Sequence, residues 1–274
     1  MKQQSVNGLK SRAAVVLSYR PLIGHLAAGL LQASVLTALP LLACAAADGP
    51  WSASFAATTD YIFRGVSQTY DRGALQLGAN YQGTGGWFAG AWGSRVAPYP
   101  IAQSALELDL YTGISRPLGD EFTASVSYTH YMYLDDPRPE RFNYDELAVA
   151  ASYLDRIVAT ISYQPDSTLY SDLGFASRRS ALAYEAAGRW PLPHAFALEA
   201  GAGYYDLHRL FGVRYWAADV GAQYVFRCVS VDLSRYFADS TVSRLYGGAS
   251  ANGTWVLSAL VRLSFDEGLC HRPP

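Results

Sequence analysis

Charged residues recur at alternate positions within apolar stretches of this chain, and that spacing limits the chemistry open to them. In ALELDLYTGISR, Glu107 and Asp109 alternate with Leu106, Leu108 and Leu110. Asp60, Arg64, Glu146, Arg156, Glu185, Arg189, Glu199, Asp219, Asp232 and Arg262 stand in or beside comparable stretches. A carboxylate or guanidinium next to an aliphatic stripe needs water or a counter-charge. All twelve would then share one wetted side, where their chemistry is electrostatic: pairing with one another, or steering ions. Acids outnumber bases eight to four in this set, which favours cations over anions along any path the residues line.

Bond-making chemistry has weaker support. His130 and His208 are the histidines that could serve as a base, with Ser127 or Ser243 as the hydroxyl partner. A nucleophile needs a base and an orienting group within hydrogen-bond reach, and no motif here signals that convergence. No His or Cys pair has metal-ligand spacing, and Asp166 with Asp172 lacks the glycine and glutamate of a calcium loop. The sequence therefore predicts no catalytic site, metal or cofactor.

The elements that must carry these charges read as β-strands. TWVLSALVRLSF (Thr254 to Phe265) places Trp255, Leu257, Ala259, Val261, Leu263 and Phe265 on one face, with Ser258, Arg262 and Ser264 on the other. About ten residues of such alternation suffice for a tilted strand to cross a bilayer, and aromatic residues at both ends suit its two interfaces. Eleven further strands are expected: Trp51 to Arg64, Ala74 to Gln82, Trp87 to Ser94, Ala105 to Arg116, Phe122 to Tyr133, Tyr144 to Tyr153, Ile157 to Gln164, Ala181 to Trp190, Ala195 to Asp206, Tyr215 to Phe226 and Val229 to Phe237. The facing of the third is ambiguous, because Trp87 and Trp92 have opposite parity. Every second connection is short. That segregation of loops, with an even strand number, describes a single antiparallel transmembrane β-barrel of twelve strands, within a range of ten to fourteen. The longest irregular segment is expected at 165–180 and would form a constriction or an external lid.

The N-terminus reads as an export signal. Lys2, Lys10, Arg12 and Arg20 precede the largely apolar Leu26 to Ala47, which ends in small residues. Residues 1–47 are thus set apart from a barrel at 48–265 and a short periplasmic tail at 266–274. Cys44 also offers a lipidation site. The 21 Lys and Arg and 23 Asp and Glu of the chain become 17 and 23 without the signal, a formal charge of −6, which argues against nucleic acid as a partner. Cys228 and Cys270 fall at the same end of the barrel and would either pair or stay as two thiols.

The run TTDYIFRGVSQT (Thr58 to Thr69), followed by ALQLGANYQGTGGWFAGAWGS (Ala74 to Ser94), resembles the opening of the TorF-like porins, a family otherwise uncharacterised. Its pattern is a Thr-Asp-Tyr strand end, an Arg-Gly step with serine and glutamine, and a strand pair ending in Trp-Gly-Ser. The resemblance implies an outer-membrane barrel with porin activity and supplies no catalytic residues. Together these readings predict a narrow, acid-biased channel for small solutes or ions, with a plugged structural or adhesive barrel, or an outer-membrane hydrolase built on the histidines and serines above, as the alternatives. Its surroundings would be outer-membrane lipid and lipopolysaccharide, reached through barrel-insertion machinery that recognises Thr254 to Phe265.

Overall fold

The computed structural model describes residues 50–97, 105–134, 143–170 and 176–265. The expected signal at 1–47, Cys44, the tail at 266–274 and Cys270 lie outside these residues. Cys228 is disulfide-bonded.

The alternation closes into a ring. β1 (Trp51–Thr58), β4 (Ala74–Gln82), β5 (Trp87–Val96), β6 (Ala105–Leu118), β7 (Phe122–Leu134), β8 (Tyr144–Tyr153), β9 (Ile157–Tyr170), β10 (Ala176–Pro191), β11 (Phe196–Leu207), β12 (Val213–Phe226), β13 (Val229–Ala238) and β14 (Trp255–Ser264) pair antiparallel, each with its neighbours. β1 pairs with both β4 and β14, so the wall has no free edge. Closure satisfies the backbone hydrogen bonds that a strand edge would leave open. Two short strands remain, β2 (Ile62–Phe63) and β3 (Val66–Ser67), which pair only as a hairpin of their own.

Alternation sorts the side chains. Leu106, Leu110, Val126, Val149, Ile161 and Leu257 are exposed on the outside, and Trp51, Trp87, Phe122, Trp190, Phe196 and Phe226 collect at the short-turn end. Tyr204, Trp216 and Trp255 mark the long-loop end. Glu107, Asp109, Glu146, Glu199 and Asp219 point inward from the same strands and are buried. An exterior this apolar, banded by aromatic residues, with charge confined to the interior, is an inside-out arrangement suited to a hydrocarbon surround. Trp87 faces outward and Trp92 inward, which resolves the parity conflict in β5.

Two expectations fail in this region. The segment at 165–180 is largely strand: β9 and β10 continue past the ring as a paired hairpin, with a register shift between Arg179 and Ala181. Pro165 and Asp166 fall opposite Ser180 at that shift, and a bulge is one of the few places a strand tolerates a residue without an N–H. The first strand, in turn, ends at Thr58 rather than Arg64. Its apparent continuation leaves the wall and enters the barrel.

Candidate functional site

The inward turn follows from local chemistry. Asp60 Oδ1 accepts hydrogen bonds from Ser67 Oγ at 2.7 Å and Thr69 Oγ1 at 2.6 Å, Thr69 Oγ1 accepts from Tyr61 N at 3.1 Å, and Gln68 N donates to Tyr61 O at 2.7 Å. Arg64 and Gly65 form the two-residue turn between Phe63 and Val66, both with positive φ (51° and 78°), the backbone of the tight hairpin turns that match strand twist. A Cβ on Gly65 would meet Ala217 Cβ at 2.6 Å. The tip therefore reaches the far wall only because that residue is glycine.

This hairpin touches strands on every side of the ring. Tyr61 packs edge-on against Trp92 of β5 with centroids 5.4 Å apart. Phe63 approaches Tyr131 of β7, and Ile62 is buried with Tyr236 of β13 and Val256 of β14. Tyr215 of β12 donates its hydroxyl to Arg64 O at 3.1 Å, and Ala251 N donates to Gly65 O at 3.0 Å. A segment in contact with so many staves of a closed barrel lies in its lumen. Tyr61 and Phe63, whose alternation with Asp60 and Arg64 along the expected first strand would turn them outward, are therefore interior residues, and the segment inserted in the lumen is residues 59–73.

Arg64 supplies the strongest contact. Its Nη1 donates to Glu146 Oε2 at 2.8 Å, and its Nη2 donates to Glu146 Oε1 and Glu185 Oε2, both at 3.1 Å. The guanidinium stands 4.8 Å from the Phe63 ring centroid and 5.8 Å from that of Tyr205. Gln164 Nε2 donates to Glu146 Oε2, and the Tyr205 hydroxyl donates to Glu185 Oε1, both at 3.0 Å. A buried guanidinium bridging two carboxylates from separate strands is costly to break, because each released partner would be a charge without a counterpart.

Other charges stay on the wall. Glu107 and Asp109 face inward from β6; Glu107 Oε1 accepts from the Tyr133 hydroxyl at 3.1 Å, while Glu107 Oε2 and Asp109 Oδ1 have no hydrogen-bond partner among the described residues. Towards the short-turn end, Arg189 Nε donates to Glu199 Oε1 at 3.2 Å and its Nη2 to Gln223 Oε1 at 2.7 Å. Asp219, Asp232 and Arg262 complete that level from β12, β13 and β14. Arg156 is the exception: it lies exposed in the turn between β8 and β9. Asp60 and Arg64 are interior, but on the hairpin instead of the wall.

The hydrolase pairing does not assemble. Ser127 is buried on the inner face of β7, whereas His130 turns outward and pairs through Nδ1 with Asp145 at 2.7 Å. His208 opens the short helix α1 (His208–Phe211), and Ser243 is exposed on α2 (Ser240–Tyr246).

A sequence profile described as "Bacterial protein of unknown function (Gcw_chp)" matches residues 43–261. The chain belongs to this family. No curated protein matches the chain. Among solved structures, the family member is similar to a NanC porin, with a TM-score of 0.52 and 11% identity over 79% of this chain and 99% of that one. It also matches a KdgM porin (TM-score 0.47, 9% identity, 78% of this chain and 99% of that one) and a CymD monoaromatic hydrocarbon channel (0.42, 11%, 79% and 88%). At 11% identity the likeness to the NanC porin is one of fold.

Proposed function

We propose that this Gcw_chp protein is a narrow porin of the bacterial outer membrane, conducting small ions or solutes past a constriction made by residues 59–73. On the residues Thr58 to Ser94 we place it with the TorF-like porins. One observation carries the reading: a closed ring with an apolar exterior holds an interior lined with charge, which serves little purpose unless water and solutes enter. In this account residues 1–47 direct export, the closing strand addresses the insertion machinery, and lipid with lipopolysaccharide surrounds the wall. Glu107 and Asp109, together with Asp219 and Asp232, give the path a preference for cations.

A second reading, a sealed structural or adhesive barrel, draws on the same hairpin, which packs against the wall on all sides. Planar-bilayer recording of the refolded mature chain across a salt gradient separates the two. Discrete current steps with a cation-selective reversal potential support the channel; anion preference rejects the acid-lined path, and a folded barrel that stays silent supports the sealed one.

A further inference from the structure

The wall of the lumen carries a receptor for a planar cation, and the structure shows what fits it. Glu146 on β8 presents both carboxylate oxygens to the two Nη atoms of Arg64, in the side-by-side geometry that distinguishes a guanidinium from an ammonium. Glu185 on β10 closes the third side, and the Tyr205 ring covers a face. The receptor is held in shape independently of its occupant, since Gln164 steadies Glu146 and the Tyr205 hydroxyl steadies Glu185. Every one of these wall groups sits on a barrel strand. The occupant instead arrives on an inserted hairpin, as the first residue of its two-residue turn.

We propose that the Glu146–Glu185–Tyr205 site is the lumen's binding subsite for guanidinium-bearing solutes, and that Arg64 occupies it in the resting barrel as a tethered stand-in. This deepens the channel reading by naming a solute class, and it rests on that reading only for its physiological meaning. A free guanidinium group competes with a tethered one at its effective concentration, which for a short connection lies in the millimolar range or above. Competition in the native chain thus requires a solute at millimolar concentration, whereas removal of Arg64 leaves the site open to far less. Among the described residues no group of three or more His, Cys, Asp or Glu is arranged to hold a metal ion, which sets this site apart from a divalent-cation centre.

The test is chemical rescue, read as thermal unfolding of the refolded mature chain in detergent. Arg64→Ala should unfold at a lower temperature than the native chain, and millimolar guanidinium chloride should restore several degrees where equal sodium chloride restores none. Adding Glu146→Gln to Arg64→Ala should abolish the rescue. If Arg64→Ala fails to refold, Arg64→Lys keeps a charge at the tip without the two-pronged donor, and guanidinium should stabilise it more than sodium does. Equal responses to the two salts, or a rescue that survives Glu146→Gln, would overturn the proposal. Because this readout passes no current, rescue in a barrel that never conducts would leave the subsite standing and remove the channel.

Discussion

The two halves of the lumen use charge differently. Towards the long loops, Arg64 is bound by Glu146 of β8 and Glu185 of β10 and ties an inserted hairpin to that side of the wall, across the ring from β1. Large tyrosines, Tyr131, Tyr133, Tyr205, Tyr215 and Tyr236, fill the space around it. Towards the short turns, Arg189 pairs with Glu199 on the adjacent strand, and several inward positions at that end are small, among them Ser115, Ser125, Ser152 and Ala197. The first arrangement crosses the lumen and the second follows its surface. On the channel reading, an ion pair that bridges the cavity restricts passage, while one that runs along the wall holds two strands and colours the field beside the path.

The largest effect that tests this contrast belongs to Arg64. Arg64→Ala strands two carboxylates in the interior and should cost about 3 kcal/mol or more, measured by denaturant unfolding in detergent; a cost near zero would mean that the hairpin is not held by charge. Arg189→Ala removes a partner that is more accessible and should cost less, about 1–2 kcal/mol, with little change in single-channel current. If the two variants raised conductance equally, the distinction between the halves would collapse. Glu107→Gln with Asp109→Asn should leave unfolding nearly unchanged and move the reversal potential towards zero, since these carboxylates bind no basic partner among the described residues.

A further effect lies outside the lumen. Asp239 caps α2, accepting hydrogen bonds from Thr241 N at 2.6 Å and Trp216 N at 2.9 Å. Burial opposes its charge, but these hydrogen bonds outweigh it and hold the carboxyl below the ordinary range. The lowered value means that its contribution is complete above about pH 4 and fades as pH falls through the folded value. Asp239→Ala should therefore cost about 1 kcal/mol at neutral pH and progressively less below pH 4, as thermal melts over a pH series will show.

Much of the wall was legible because a two-residue period leaves little freedom. In β6, Leu106 and Leu110 face outward while Glu107 and Asp109 face inward, as the spacing requires. Loop chemistry was harder to read. Thr59, Tyr61 and Phe63 prolong the alternation of β1 without belonging to it, so periodicity alone runs straight through the point where the chain turns inward. The available signals were Arg64-Gly65, a two-residue turn with glycine in second place, and the hydroxyls of Ser67 and Thr69 spaced to fold back on Asp60. The segment at 165–180 misled in the opposite sense: Pro165 and nearby charges read as loop, yet a bulge lets the hairpin continue.

The central claim, that the lumen conducts and that the hairpin narrows it, is tested most directly by single-channel conductance. The native chain should be compared with one in which residues 61–70 are replaced by a short Gly-Ser linker, both shown to be folded. This account predicts small cation-selective steps from the native barrel and steps several-fold larger from the shortened one. Identical conductance in the two, or silence in both, would contradict it.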